Sequence, residues 1–364
     1  MPPLNPVDAD HSAHSFLDPF RDRIGTPVAD EAAVRARLDG LTKPPGSLGE
    51  LEVIALRLAL VLGDPPPPLR RRQVLIFAAD HGVARRGVSA YPPEVTAQMC
   101  RNFVAGGAAI NAIARSVGAE VGVIDAGVDA ASGALPGVID RKVRRGSRDL
   151  AEGPALTASE VAEAMRHGFD AARHAAADVL ALGDMGIGNT TAAAAVTAAL
   201  TNAPVETLVG PGTGIDSAAL ALKRDIVARS AARVSPESTV AEILAEVGGL
   251  EIAAIAGATL GAAAAGIPVI ADGFIVTAGV LAAVRIEPAV RRYVFASHCS
   301  AEPGHHVQLQ ALGLRPLFDL GLRLGEGTGA ALAMPVLDAA GAVLREMATF
   351  EQAEVSTRVE PADA

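Results

Sequence analysis

The feature that most constrains this chain is a unit recurring from residue 74 onward: an apolar run of strand length, a turn of glycines and polar residues, then an alanine-rich stretch of helical length. The runs are VLIFAA at 74–79, VGVIDA at 121–126, DVLAL at 178–182, PVIAD at 268–272 and YVFAS at 293–297. Strands that alternate with helices pair in parallel, so the pattern predicts an α/β fold with a doubly wound, Rossmann-like parallel sheet. The turns after the runs are chemically rich: Asp80, His81 and Gly82; Gly127 to Asp129; Gly183 to Gly186; Gly273; and His298, Cys299 and Ser300. These residues fall at the carboxyl ends of the strands, the edge of an open α/β sheet where ligands bind.

Composition narrows the reading. Half of the 364 residues are hydrophobic, only 3% are aromatic and none is Trp, so Ala, Val, Leu and Ile must fill the core around 37 glycines. The segment 252–271 has twenty residues without a charge, the length of a membrane span. Twelve of the twenty are Ala or Gly, Pro268 interrupts them and Asp272 follows at once, which reads as a buried helix feeding a buried strand. Gly257 and Gly261 then mark close helix packing, with no membrane span expected. The net charge of −10 disfavours nucleic acid as the partner. The one basic run, RKVRRGSR at 141–148, reads as a solvated loop or a partner contact. Two cysteines make no disulfide framework, and the N-terminus has no leader pattern, so a cytoplasmic setting is expected. The length suggests about two domains. A boundary falls at the four prolines 65–68, with residues 1–14 and the charged tail 351–364 expected to be disordered or flexible.

Three segments can carry chemistry. GDMGIGNTT at 183–191 lies between a strand and the helical run 192–200; Asn189 or Thr190 can cap that helix, whose free N–H groups attract an anion. It reads either as a phosphate cradle or as a tight turn, and it is neither a Walker loop nor a regular dinucleotide fingerprint. GPGTG at 210–214 opens a second helix with Asp216 as its cap, and Lys223 lies on the helix face that leans back toward that end. In LGEGTGA at 324–330 a carboxylate, Glu326, sits between glycines, which costs backbone entropy. It is read either as a cap for a helix at 330–336 or as a general base. Asp80, His81, His298, Cys299, Glu302, His305 and His306 are of metal-ligating type, but their spacing fits no metal motif, and no metal or cofactor is expected.

Taken in order, LTKPPGSLGELE at 41–52, ADHGV at 79–83, GVSAYP at 87–92, GDMGIGNTT at 183–191, SH at 297–298 with SAEPGH at 300–305, and LGEGTGA at 324–330 strongly resemble the nicotinate-nucleotide–dimethylbenzimidazole phosphoribosyltransferase family. The resemblance runs from about residue 41 to 350. It implies transfer of phosphoribose from nicotinate mononucleotide to 5,6-dimethylbenzimidazole, giving α-ribazole 5′-phosphate and nicotinate for the cobalamin nucleotide loop. It also implies a homodimer, with a large α/β domain at 65–302 and a small helical domain built from both chain termini, 15–64 and 303–350. By resemblance Glu326 is the catalytic carboxylate. Tyr91, Gln98, Leu324 and Gly325 fall in the base pocket, and Gly186, Ile187, Gly188, Asn189, Thr190 and Lys223 in the nucleotide-phosphate region. Asp184 stands where some members carry glutamate. A nucleotide-binding sensor is the rival reading, and Glu326 between glycines is the feature such a sensor does not need.

Overall fold

A computed structural model describes residues 15–131, 133–212 and 214–356. The segment 1–14 and residues 357–364 of the expected tail lie outside the described residues, while residues 351–356 close a turn in which Val355 N donates to the Phe350 carbonyl. Among the described residues, six strands form one sheet in the order β3-β2-β1-β4-β5-β6. They are β1 (Arg72–Ala79), β2 (Ala119–Gly127), β3 (Ile139–Asp140), β4 (Val179–Met185), β5 (Val269–Ala271) and β6 (Val294–Ala296). Every neighbouring pair is parallel, and the order reverses between β1 and β4. The expected doubly wound sheet is therefore present.

The period of two along each strand sorts the core into two layers. Leu75 and Phe77 of β1, Leu180 and Leu182 of β4, and Val269 of β5 enter one apolar cluster. Val74, Ile76, Val179, Ala181 and Ile270, from the same strands, enter the other. The first face is covered by helices that include Ala158–Arg173, Leu250–Ala265 and Phe274–Ile286, and helix Pro303–Leu312 contributes Leu309 and Leu312 to it. The second is covered by Glu31–Asp39, Glu50–Leu62, Val95–Ala105, Ala109–Ser116 and Thr328–Glu346.

The uncharged segment is the buried helix Leu250–Ala265 leading into β5, and among the described residues no helix is long and apolar enough to cross a membrane. Its glycines let it approach Ala158–Arg173 at backbone distance. A Cβ at Gly257 would lie 1.9 Å from the Met165 carbonyl oxygen, and one at Gly261 would lie 2.2 Å from that of Phe169.

The structure corrects several boundaries. β4 runs on through Gly183, Asp184 and Met185, residues of low strand preference that the sequence places in a turn; pairing with Ile76, Phe77 and Ala78 of β1 overrides that preference. β3 was not expected, since two exposed residues give no apolar pattern. The helix expected at 192–200 is Asn189–Thr201, and the one expected at 330–336 is Thr328–Glu346, which continues through Pro335.

Because the Leu250–Ala265 contact leaves no room for a methyl group, Gly257→Ala is expected to lower unfolding stability by about 1–3 kcal/mol, the usual range for overpacking. Gly25→Ala, with nothing within 4 Å of the added carbon, is the control. Equal denaturant midpoints for the two variants would contradict the close-packing account.

Candidate active site

At the end of β4 the chain turns through Gly186, Ile187 and Gly188 into helix Asn189–Thr201. Gly186 is required by space, since a Cβ there would lie 2.3 Å from the Ala79 carbonyl oxygen, and Gly188 by its φ of 92°. Gly188 itself is the N-cap, and no side chain caps this helix, which corrects the capping role expected for Asn189 or Thr190. Both polar side chains are used otherwise. Asn189 Nδ2 donates to Asp184 Oδ2 at 2.9 Å, and Thr190 Oγ1 accepts from Lys223 Nζ at 2.8 Å. Lys223 is 1% exposed, donates also to the Gly210 carbonyl, and is pushed down to about 8 by burial, with Glu302 opposing the shift. Asp216 caps helix Ser217–Ala231 as expected, its Oδ1 accepting from Ala219 N at 2.9 Å. An ammonium and an uncapped helix N-terminus therefore meet at one end of a cleft, the arrangement that holds an anion.

The other end is built around Glu326. Gly325, Glu326 and Gly327 are all left-handed, with φ of 82°, 63° and 86°. Asp272, just past β5, holds this run: its Oδ2 accepts from Gly327 N at 3.2 Å and its Oδ1 from Ala330 N at 3.0 Å. Gly183 makes the run possible, because a Cβ there would lie 2.6 Å from the Glu326 carbonyl carbon and oxygen. The Glu326 carboxylate is buried and accepts from Ile110 N at 3.3 Å, at the start of helix Ala109–Ser116. Burial raises its pKa above the ordinary glutamate value, against the lowering effect of that amide. Asp184 and Asp272 are raised too, first by burial. Asp184 goes well above the usual range with Asp272, Glu251 and Glu326 nearby, and Asp272 goes to about 7 despite its backbone donors.

Residues of both groups, from Asn189 and Thr190 to Gly325, line a cavity of about 320 Å³. Of the residues marked by sequence, Tyr91, Gly186, Ile187, Asn189, Thr190, Leu324 and Gly325 line it. Gly188 and Lys223 stand behind its wall, Lys223 reaching Thr190, and Glu326 is adjacent to Gly325. Gln98 is exposed on helix Val95–Ala105 and does not line the cavity. Arg323, Phe274 and Ile275 were missed; Arg323 lies at the rim and donates to the Gly212 carbonyl at 3.3 Å.

The residues of metal-ligating type are spread among separate partners. His81 Nε2 lies 2.7 Å from Glu251 Oε1, fully inside the protein, and that carboxylate raises His81 in spite of burial. His305 accepts from Ser300 N through Nδ1 at 2.9 Å and meets Thr277 Oγ1 through Nε2 at 3.0 Å. Among the described residues no cluster of three or more His, Cys, Asp or Glu is arranged to hold a metal ion. The basic run is ion-paired: Arg145 with Asp129 at 2.9 Å and Arg148 with Glu160 at 2.7 Å, beside a second cavity of about 480 Å³.

Burial pushes His305 down to about 3. The unfolded chain takes up that proton near the ordinary histidine value of about 6.5, so the stability held by the neutral ring is present above that pH and is lost as pH falls toward the folded value. The stability gap between wild type and His305→Gln is therefore expected to narrow from pH 6.5 to pH 4 in denaturant titrations. A gap constant over that window would contradict the neutral, structural imidazole.

Comparison with known proteins agrees with this geometry. A family model described as a phosphoribosyltransferase matches residues 27–355. A curated nicotinate-nucleotide–dimethylbenzimidazole phosphoribosyltransferase from Thermus thermophilus is 55% identical over 328 residues, spanning 89% of this chain and 98% of that protein. A protein of the same name from Geobacter metallireducens is 50% identical over 329 residues, 89% of this chain and 93% of its own. The crystal structure of CobT from Thermus thermophilus superposes with a TM-score of 0.87 at 54% identity, covering 90% of this chain and 98% of that one. With its glycine turns, Lys223 and the Glu326 turn gathered at one sheet edge, the chain belongs to the nicotinate-nucleotide–dimethylbenzimidazole phosphoribosyltransferase family.

Proposed function

We propose that this chain transfers the 5-phosphoribosyl group of nicotinate mononucleotide to 5,6-dimethylbenzimidazole, releasing nicotinate and forming α-ribazole 5′-phosphate for the cobalamin nucleotide loop. The observation that carries the reading is one cavity lined both by an anion-holding helix start, at Asn189 and Thr190, and by Gly325, the neighbour of a buried carboxylate of raised pKa, Glu326. In the donor, the ribose carbon is bonded to a cationic pyridinium nitrogen. When that bond breaks, its electron pair neutralises the ring, so the leaving group needs no proton from an acid. The attacking imidazole nitrogen supplies the pair for the new bond, from the face opposite the leaving ring, which inverts β to α. Its partner nitrogen gives its proton to Glu326, whose burial makes it a stronger base than an exposed glutamate. A carboxylate beside this ring also favours the positive charge that develops in the transition state.

The nucleotide phosphate is assigned to the start of Asn189–Thr201, with Gly186, Ile187, Gly188, Asn189, Thr190 and Lys223. The base is assigned to the end with Tyr91, Gln98, Leu324 and Gly325, by family resemblance. For Gln98 this requires the exposed face of its helix to be covered. The family reading brings with it a homodimer in the cytoplasm that uses small-molecule substrates, with no cofactor and no nucleic acid. A small domain from both chain ends is supported by their direct pairing, with Thr42 N donating to the Ala348 carbonyl and Phe350 N to that of Gly40.

Nicotinate release from nicotinate mononucleotide that requires added dimethylbenzimidazole is the direct assay. Glu326→Gln is expected to lower kcat by roughly 10²–10⁴-fold, the range of a general base, while nucleotide binding survives. Near-normal turnover by this variant would remove Glu326 from the reaction.

A further inference from the structure

We propose that His298 binds the ribose of the donor nucleotide, its Nε2 accepting a hydrogen bond from a sugar hydroxyl. This rests on the phosphoribosyl-transfer reading and adds a positioning residue to it. His298 follows β6 and is 2% exposed, yet it lines the 320 Å³ cavity. The ring is fixed from behind. Ser297 Oγ, 3.0 Å from His298 Nδ1, donates its single proton to the Ala271 carbonyl at 2.7 Å, so it is left to accept from Nδ1. The Asp272 carboxylate, 3.8 Å from Nδ1, favours a proton on that nitrogen as well. On the same side the ring presses on helix Thr328–Glu346, where a Cβ at Gly329 would lie 2.1 Å from Nδ1.

Burial pushes His298 down to about 4, which keeps the ring neutral at physiological pH. A neutral imidazole with its proton on Nδ1 presents a lone pair at Nε2. That atom stands beside the cavity-lining Gly273, where a Cβ would lie 3.6 Å from it, and has no hydrogen-bond partner among the described residues. An acceptor that the protein leaves without a donor on a cavity wall is free to take one from a ligand.

The donor nucleotide narrows what that partner is. Its phosphate and its pyridine carboxylate are ionised and carry no proton to donate, whereas the ribose hydroxyls do. Position agrees. Further along the same loop, Glu302 reaches the phosphate end, where a Cβ at Gly210 would lie 2.7 Å from Glu302 Oε2. At the opposite end, a Cβ at Gly325 would lie 3.2 Å from Asp184 Oδ1. His298 is tied to both, lying four residues before Glu302 in the chain and packing its ring against Gly329, three residues after Glu326.

The test is a cycle of two changes. Nicotinate mononucleotide and its 2′-deoxy and 3′-deoxy analogues are compared with wild type, His298→Phe and His298→Gln, by nicotinate release and by calorimetric binding. Wild type is expected to lose roughly 10–100-fold in kcat/KM or affinity toward one deoxy donor, the effect of an unpaired buried acceptor. His298→Phe should lose a similar factor on the full donor and discriminate the analogue by no more than about 2-fold. His298→Gln, whose amide oxygen can still accept, should recover part of the discrimination. Which analogue responds identifies the hydroxyl. Full wild-type discrimination in both folded variants overturns the proposal, as does wild-type indifference to both analogues. Absence of any turnover of the full donor by wild type would instead overturn the transferase reading, and the ribose assignment with it.

Discussion

The site depends on three consecutive left-handed residues, Gly325, Glu326 and Gly327. The outer two adopt that backbone freely, but for Glu326 it is unfavourable by about 1–2 kcal/mol. Contacts across the sheet edge and one bond within the turn hold it. Asp272 accepts from Gly327 and Ala330, Gly183 lacks the carbon that would strike the Glu326 carbonyl, and Thr328 Oγ1 donates back to the Gly325 carbonyl. From this turn helix Thr328–Glu346 starts, and against its first turn rests the His298 ring. One run of backbone thus aligns the carboxylate, the cavity wall at Gly325 and the imidazole opposite.

Electrostatics derives from the same packing. Asp184, Asp272 and Glu326 are gathered away from water, and burial raises all three. Such a site binds protons more readily than exposed carboxylates do, which suits a base that must take one from a weakly acidic N–H. At the far end burial acts oppositely on Lys223, bringing it to about 8, so a bound phosphate gains by keeping that ammonium charged. Burial thus shifts the carboxylates and the ammonium around the cavity in opposite directions.

Much of this was legible in the sequence because it is local. Continuous apolar runs alternating with alanine-rich stretches gave the strands, glycines after them marked the ligand edge, and Glu326 between glycines stood out because neither helix nor strand favours that arrangement. What was not legible depends on distant segments meeting. Asp272 reads as a strand-end aspartate until Gly327 and Ala330 are brought to it, and Arg323 as a surface arginine until the Gly212 carbonyl lies within reach. The histidines looked like ligands by type alone, and only their separate partners, Glu251, Ser297 and Thr277, reveal their separate roles. The strand at Gly183 to Met185 was hidden for the same reason, since pairing with β1 outweighs weak intrinsic preference.

The central claim is that the chain maintains an unfavourable backbone and a buried carboxylate at position 326 for chemistry, and not to cap helix Ala109–Ser116 through Ile110. The unfolding free energy of Glu326→Gly near neutral pH separates the two, because glycine relieves the left-handed strain and removes the buried carboxylate together. On this account the variant is inactive and at least as stable as wild type, by up to about 1 kcal/mol. A loss of about 2 kcal/mol or more, the upper range for a deleted cap, would show that the carboxylate is there for the fold.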